Sequence, residues 1–425
     1  MKSKNRILNF FVNMGLLGAS FLFVELALQL ASVFFVDVDL ITRPPWWRAD
    51  TSIPRRVDDD RLGTRGNPEY WEYDARGFRN PSALSSATVV ALGDSHTYGG
   101  GVNSEESWPS IISAHLGKDV YNMGLGGYGS TQSLENLSIA IELNPKLIIF
   151  GLYFGNDFVD DFAFAQRNDL LLEYVNQDVL AEISKLESQR TIQEEIGFLF
   201  RSGRNIEEAV ANQSPSEVSE TAKSPWIIRI WISDHSKLYG LLRTLKNQIA
   251  SETDFNALLA RDFYRAKENL SERQLPFVSV YDGPTWKTIF TSPYRFGTLD
   301  DADPRIRTGI EISKQMLYQM RLRVSERGTK YVVLLLPTKE YVFWPRVESP
   351  DEHKLLAELV QHEDRIRNEI KRYMREHGIE FVDPVKELRE SEHQPYFPDG
   401  DGHPNTLGHK IIAEKVLKFI KRNQI

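Results

Sequence analysis

The sequence predicts an α/β protein whose core is a parallel sheet covered by helices on both faces. Short apolar runs alternate with longer segments of helical period, and runs apolar along their whole length are typical of strands buried on both sides. The clearest runs are 87–92, 147–153 and 331–336. The polar tripeptide Gly93-Asp94-Ser95 directly follows the first run. This is where open α/β sheets carry their reactive groups, at the carboxyl ends of the strands.

The elements follow in alternation, which predicts three layers, α/β/α, around five parallel strands. The predicted strands are 87–92, 120–123, 147–153, 331–336 and 380–382. The predicted helices are 105–116 (with Ser104 as its N-cap), 130–143, 310–327, 351–377 and 406–421. Gly328 and Gly378 follow two of these helices, at a position where glycine commonly ends a helix.

The alternation breaks between about residues 159 and 304, which we interpret as an insertion over the active-site edge of the sheet. Long insertions at such edges are commonly lids or substrate loops. We expect it to be mostly helical and irregular, with a polar loop at 211–224. Its aromatic residues Trp226, Trp231 and Trp286 are expected to belong mainly to the core, with a substrate-contact surface as the alternative.

The N-terminus predicts a membrane anchor. Lys2, Lys4 and Arg6 precede an apolar stretch at 7–36, longer than the roughly 20 residues that span a bilayer. We expect residues 1–37 to be an uncleaved transmembrane helix; a cleaved signal peptide and a helix lying in the interface are the alternatives. Basic residues that flank a membrane helix usually stay in the cytoplasm. The chain after the helix would then lie outside the cytoplasm, in the periplasm or at the cell surface. Residues 38–80 would then be a stalk or strap, and residues 81–425 the α/β domain with its insertion at about 159–304.

Composition narrows the classes of function. The chain has 425 residues, a net charge of −8 and no cysteine. The absence of cysteine excludes disulfides, thiolate zinc sites and a cysteine nucleophile. The acidic balance argues against nucleic acid as a partner. No histidine pair has zinc spacing and no segment has the spacing of an EF-hand loop, so neither a metal nor a cofactor is predicted.

Four short blocks occur in an order that resembles the SGNH/GDSL hydrolase family. They are Gly93-Asp94-Ser95, Asn122-Met123-Gly124-Leu125-Gly126-Gly127, Gly155-Asn156-Asp157 and Asp401-Gly402-His403-Pro404-Asn405. The resemblance covers about residues 87–157 and 328–423. It implies a flavodoxin-like strand order and acyl-ester chemistry on a serine.

The chemistry of each candidate residue agrees with that implication. A serine hydroxyl needs a neighbouring base to attack, and a histidine can change its charge near neutral pH. We therefore predict Ser95 as nucleophile, His403 as base and Asp401 as the carboxylate that orients the base. The family resemblance implies an oxyanion hole made by the main-chain N–H groups of Ser95 and Gly127 and the amide of Asn156.

Two assignments keep alternatives. Asp399 competes with Asp401, because the position three residues before His403, usual for the acid in this family, is Gly400. In the glycine block Gly124, Gly126 and Gly129 compete with Gly127.

The remaining polar residues near the blocks are given structural roles. Asp94 would bond the turn, His96 would line the pocket wall, His409 would be structural, and the acidic residues Asp157, Asp160 and Asp161 would be solvated or bonded within their loop.

The sequence thus predicts a serine-dependent ester hydrolase of esterase, deacetylase or lipase type, acting on an acylated carbohydrate or lipid. An O-acyltransferase that modifies an exported polysaccharide would use the same residues, with a sugar hydroxyl in place of water. A catalytically silent binding or assembly protein is the alternative from another class, and the intact Ser95, Asn156 and His403 argue against it.

Overall fold

A computed structural model describes residues 16, 19–31, 53–168, 173–188, 236–238, 241–242, 252–270, 275 and 278–425. The chain divides into two compact units, residues 1–53 with 216–255, and residues 54–215 with 256–425. The larger unit contains all four sequence blocks.

The larger unit is built on a five-stranded parallel sheet, as the sequence predicts. In chain order the strands of this unit are β1 Arg56–Asp59, β2 Gly63–Gly66, β3 Val89–Gly93, β4 Val120–Asn122, β5 Leu147–Tyr153, β6 Ser279–Asp282, β7 Lys287–Phe290, β8 Lys330–Leu336 and β9 Glu380–Val382. The sheet order is β4-β3-β5-β8-β9, with every neighbouring pair parallel. Numbered within the sheet, this is the flavodoxin-like order 2-1-3-4-5. Strands β3 and β5 are buried at every residue, because their side chains are covered on both faces.

The helices that follow β3 are numbered in chain order. They are α1 Ser95–Tyr98, α2 Trp108–Leu116, α3 Ser130–Glu135, α4 Leu137–Glu142, α5 Asp157–Arg167, α6 Gln177–Ser188, α7 Glu252–Glu268, α8 Ser292–Leu299, α9 Pro304–Ser325, α10 Lys339–Phe343, α11 Lys354–Glu376, α12 Val385–Glu390 and α13 Thr406–Arg422. Their contacts define two groups: α13 packs on α2, whereas α9 packs on α3, α5 and α11. Right-handed crossovers in this strand order place the two groups on opposite faces of the sheet.

The structure differs from the predicted elements in several places, among them the predicted helix 310–327, which runs from Pro304 to Ser325. The first helix begins at Trp108 and not at 105, because Ser104–Glu106 forms a separate 3₁₀ turn and Pro109 lies in the first helical turn. The predicted helix 130–143 is two helices joined at Asn136. The region interpreted as an insertion contains a hairpin, β6–β7, that helical periodicity did not predict.

The part of the stalk or strap that belongs to the larger unit, residues 54–80, packs on the core of that unit. Its strands β1 and β2 form an antiparallel hairpin, and Tyr70, Tyr73 and Phe78 are buried. The Tyr128 hydroxyl donates to the Thr64 carbonyl at 2.9 Å, which ties the hairpin to the glycine block. This segment therefore lies beside the residues of the second sequence block.

The smaller unit contains a helix at residues 19–31. Its Glu25 carboxylate accepts hydrogen bonds from the Ser236 hydroxyl at 2.8 Å and from the main-chain N–H groups of Lys237 and Leu238 at 2.8 and 2.9 Å. The polar residue in the apolar stretch is thus paired with a second segment. Within the described part of the chain, no helix combines the length and the apolar character needed to cross a membrane. Most of residues 1–37 lie outside that part.

Candidate active site

Ser95 is the first residue of α1, immediately after the end of β3. Asp94 precedes it, and one Asp94 carboxylate oxygen accepts the His96 main-chain N–H at 2.9 Å, which caps the helix. Gly93 turns the chain at a φ of 143°, and a side chain there would overlap Thr97 and the Gly151 carbonyl. The turn therefore needs a glycine, and it leaves Ser95 half-buried at the carboxyl edge of the sheet.

His403 lies between Ser95 and Asp401. Its Nε2 is 2.8 Å from the Ser95 Oγ, and its Nδ1 is 2.5 Å from the Asp401 Oδ1. The same carboxylate oxygen also accepts the His403 main-chain N–H at 2.9 Å. Asp399 instead accepts the main-chain N–H of Asp401, at 3.0 Å. The structure therefore brings Ser95, His403 and Asp401 into one hydrogen-bonded chain, and gives Asp399 a role in the turn.

The environment of Asp401 keeps it ionised. Burial raises its pKa, but the hydrogen bonds and the charge of His403 outweigh burial, so the net pKa is well below the ordinary value for aspartate. An ionised carboxylate against Nδ1 fixes the proton on that nitrogen and leaves Nε2 to accept the serine proton. The side chain of His403 is 24% exposed, so water can reach the imidazole.

Lys339 positions the loop that carries Asp401 and His403, and sequence reasoning missed it. It is the first residue of α10, just beyond β8, and is fully buried. Its ammonium donates to the main-chain carbonyls of Asp399 at 2.6 Å, Asp401 at 2.8 Å and Ile289 at 3.1 Å. Burial lowers the pKa of Lys339, while the charges of Glu340, Asp399 and Asp401 oppose that shift.

The glycine block offers two candidate oxyanion donors. The N–H of Gly124 donates to the Asn122 side chain and that of Gly129 to the Gln132 side chain. Among the described residues, no acceptor is found for the N–H groups of Gly126 and Gly127. Gly127 has a φ of 78°, and the position of a Cβ on Gly126 lies 3.4 Å from the Ser95 Cβ. Gly124 and Gly129 are therefore the weaker alternatives, whereas Gly126 remains beside Gly127.

Asn156 lies at the N-cap position of α5 and donates one amide hydrogen to the Asp160 carboxylate. This bond orients the amide and leaves its second hydrogen for another acceptor. Asp157 accepts the Tyr153 main-chain N–H at 2.9 Å, and Asp161 accepts from Ser130 at 2.5 Å and from Ser313 at 2.6 Å. The expectation that the three acids are solvated or bonded within a loop is therefore wrong: they belong to helix α5, and Asp157 and Asp161 are buried and bonded within the fold.

A stack of side chains lies beneath His403. The His96 ring stacks on Tyr153 with centroids 3.5 Å apart, and its centroid is 4.6 Å from that of His403. His96 is buried and is not on the pocket wall; burial lowers its pKa, which keeps the ring neutral at physiological pH. His409 is buried as predicted for a structural residue, and its Nδ1 accepts the Trp108 main-chain N–H.

Arg295 completes this layer and comes from the region interpreted as an insertion. Its guanidinium carbon lies 5.3 Å from the centre of the Tyr153 ring, and its Nη1 donates to the Gly155 carbonyl at 3.1 Å. A side chain on Gly402 would overlap it. Arg295 therefore joins the third and fourth sequence blocks. Trp286 from the same region is buried against Phe343, as expected for a core residue, while Trp226 and Trp231 lie outside the described residues.

One group outside this site could hold a metal ion by proximity alone. Ligand atoms of Asp300, Asp301 and His362 lie within 4.8 Å of one another. Arg365 already pairs with Asp301 at 3.0 Å. A cation in this group would therefore compete with an arginine for the same carboxylate.

Comparison with known proteins gives matches among solved structures only. No protein-family model matches the chain, and no curated protein matches its sequence. A protein assigned to the G-D-S-L lipolytic family from Desulfitobacterium hafniense is 11% identical, with 78% of this chain and 97% of that one covered and a TM-score of 0.34. A G-D-S-L lipolytic protein from Veillonella parvula is 13% identical, covering 79% and 98%, with a TM-score of 0.31. A catalytic mutant of an acetylxylan esterase from Geobacillus stearothermophilus is 10% identical, covering 79% and 95%, with a TM-score of 0.33.

Proposed function

We propose that this chain is an SGNH-type serine hydrolase that cleaves acyl esters. The observation that carries the proposal is the continuous contact from the Ser95 Oγ to the His403 Nε2 and from the His403 Nδ1 to Asp401. Nucleophilic acyl transfer requires a serine, a base in contact with it and a carboxylate that orients the base.

The reaction follows from this arrangement. His403 takes the proton of Ser95 as the Oγ attacks the ester carbonyl, and Asp401 stabilises the imidazolium that forms. The negative oxygen of the tetrahedral intermediate accepts hydrogen bonds from main-chain N–H groups of Ser95 and Gly127 and from the free hydrogen of the Asn156 amide. His403 then protonates the departing alkoxide, which leaves an acyl-serine. Water, activated by the same imidazole, releases the acid.

We propose hydrolysis and not acyl transfer to a sugar, because the base His403 is open to solvent. The side chains of His403 and Asp401 are 24% and 39% exposed. An acyltransferase gains by excluding water from its acyl-enzyme, since water competes with the sugar hydroxyl. We propose an acylated carbohydrate or lipid as substrate, in keeping with a location outside the cytoplasm.

The test uses a fluorophosphonate probe and a panel of acyl esters on the full chain in detergent. Wild type is expected to be labelled and to hydrolyse a short activated ester, and Ser95→Ala to do neither. Ser325→Ala, at the end of α9, is the matched control and should behave as wild type. Equal labelling of Ser95→Ala and wild type would refute the proposal, and product formation only when a sugar acceptor is added would favour the acyltransferase.

We also propose that residues 1–37 anchor the protein to a membrane, uncleaved, with the catalytic domain outside the cytoplasm. The basic residues before the apolar stretch support this orientation. Within the described helix Leu22, Phe23, Leu26 and Leu30 are 64–74% exposed, which suits contact with lipid. Full-length protein is expected to stay in the membrane pellet after carbonate washing. A mature N-terminus beyond residue 30 would identify a cleaved signal instead.

A further inference from the structure

Arg56 brings a positive charge from the N-terminal hairpin to the rim of the candidate active site. The position that a Cβ would take on Gly126 lies 2.8 Å from the Arg56 Nη2 and 3.4 Å from the Ser95 Cβ. The corresponding position on Gly127 lies 4.0 Å from the Arg56 Nη1. The guanidinium and the Ser95 Cβ therefore both lie beside Gly126, and the guanidinium also lies beside Gly127.

The charge of Arg56 is not neutralised within the part of the chain that the structure describes. No hydrogen bond or ion pair there engages its guanidinium, and the residue is exposed. Asp59, on the same strand, pairs with Arg65 at 3.5 Å and accepts the main-chain N–H groups of Arg61 and Leu62. A guanidinium left with free donors beside a reactive serine is suited to an anionic partner from outside the chain.

The backbone that carries Arg56 is held in place. Arg56 pairs with Gly66 in the hairpin, and Gly66 packs so closely on Gly77 that a side chain there would overlap the Gly77 carbonyl. The neighbouring Arg55 turns to the other side and donates to the Tyr98 hydroxyl at 2.8 Å and to Glu72 at 3.2 Å. The two arginines thus have different tasks: Arg55 fixes the hairpin, and Arg56 faces the site.

From this geometry we infer that Arg56 is a specificity residue that binds an oxyanion of the substrate, so that the natural ester carries a carboxylate or a phosphate close to its acyl group. The inference rests on the proposed ester hydrolysis and narrows its substrate class to anionic acyl esters. Arg56 forms a two-point contact with such an oxyanion while Ser95, beside the same face of Gly126, attacks the acyl carbon. Arginine matches both anions, because its planar fork donates two parallel hydrogen bonds.

The test compares charged and neutral acetyl esters of closely related sugars. The probes are an O-acetylated methyl glucuronoside, its neutral methyl ester and O-acetylated methyl glucoside 6-phosphate, with 4-nitrophenyl acetate as a neutral reporter. Wild type is expected to prefer one or both anionic esters over the neutral one, and the better of the two identifies the anion. In Arg56→Gln, KM for that ester should rise about tenfold, the size of a charge-assisted hydrogen bond lost at an exposed site. Its kcat and the hydrolysis of 4-nitrophenyl acetate should be retained.

The controls separate this inference from the proposed function. Arg61→Gln removes the same charge from the turn of the same hairpin and should leave the preference intact. Arg56→Lys should keep part of it. Equal loss on charged and neutral esters, or no preference in wild type, would overturn the inference while ester hydrolysis stands. If no ester is hydrolysed, calorimetric titration of Ser95→Ala with methyl glucuronoside, methyl glucoside and methyl glucoside 6-phosphate still decides whether Arg56 binds an anion. The inference is overturned if neither anion binds. It is also overturned if Arg56→Gln, added to Ser95→Ala, does not weaken the binding.

Discussion

The ammonium of Lys339 donates a hydrogen bond to the main-chain carbonyl of Asp401 at 2.8 Å. The carboxylate of Asp401 meanwhile contacts His403, so a buried lysine and the imidazole hold one residue from opposite ends. Lys339 bonds main-chain carbonyls and not the Asp401 carboxylate, so the carboxylate stays available to the imidazole. The orientation of the base therefore depends on a side chain outside the four sequence blocks.

Lys339→Met is expected to lower kcat about tenfold or more, because the carbonyls of Asp399 and Asp401 lose a buried donor and the loop between them relaxes. KM for a short ester should change little, and Lys339→Arg should recover part of kcat. If the lysine positions His403, the acid and alkaline limbs of the pH dependence of kcat should lie at different pH values in Lys339→Met and in wild type. Lys314→Met is the matched control: it removes a buried lysine paired with Glu311 and Glu369, and should cost stability but not kcat. Lower stability with unchanged kcat in Lys339→Met would contradict the positioning role.

Asp401→Asn is expected to reduce turnover by about four orders of magnitude, as loss of the orienting carboxylate does in other serine triads. Asp399→Asn should retain most of the activity, because the Asp399 side chain contacts the main-chain N–H of Asp401 and not the imidazole. Both variants are compared by single-turnover acylation with a chromogenic ester. An inactive Asp399→Asn beside an active Asp401→Asn would reverse the assignment.

The sheet was predictable from the sequence because its central strands β3 and β5 are short, apolar along their whole length and buried on both faces. The run 147–153 coincides with β5 and 380–382 with β9, and Gly328 and Gly378 end their helices at φ values of 68° and 63°. The hairpin β6–β7 was missed because its burial depends on packing against Phe343 and Gln394, which are distant in sequence.

The candidate residues within the four blocks were predictable, since their motifs lie at strand ends. Arg56, Arg295 and Lys339 were not, because each acts through tertiary placement and none belongs to a spaced motif. Arg295 and Lys339 bond main-chain carbonyls, a partner that leaves no trace in the sequence. Charged residues are seldom fully buried, so neither was a candidate for the interior.

Asp160 predicts a pH-dependent stability. Burial raises its pKa to about 7, although the hydrogen bond from Asn156 opposes the rise. Because the folded protein holds this proton more tightly than the unfolded chain, whose aspartate pKa is about 4, the contribution of Asp160 is present at acid pH and is lost as pH rises toward 7. The free energy of unfolding of wild type should fall relative to Asp160→Asn by up to about 1.4 kcal/mol per pH unit across that window. Urea unfolding from pH 4.5 to 8 measures it. Asp178→Asn, on the exposed part of α6, should run parallel to wild type; parallel curves for Asp160→Asn would refute the prediction.

Gly100 is the position where a single methyl group is expected to disable the base without harming the fold. A Cβ on Gly100 would lie 2.8 Å from the His403 Cδ2 and 2.9 Å from its Nε2, both closer than a carbon can approach. Gly99 and Gly101 have φ values of 88° and 81°, but Gly100 is not in that left-handed region, so alanine is compatible with its backbone. The imidazole must therefore leave its present position, in which its Nε2 lies 2.8 Å from the Ser95 Oγ.

We expect Gly100→Ala to lower kcat by about two to four orders of magnitude, the range that general-base catalysis contributes. The melting temperature should stay within a few degrees of wild type, because the imidazole is partly exposed and can move outward. Gly400→Ala is the control in the neighbouring loop: its Cβ would meet only Thr291, at 3.7 Å, so it should retain both activity and stability. Labelling with a fluorophosphonate should slow in Gly100→Ala in proportion to kcat, because both reactions need the deprotonated serine. A stable Gly100→Ala that turns over esters at the wild-type rate would mean that His403 is not the base.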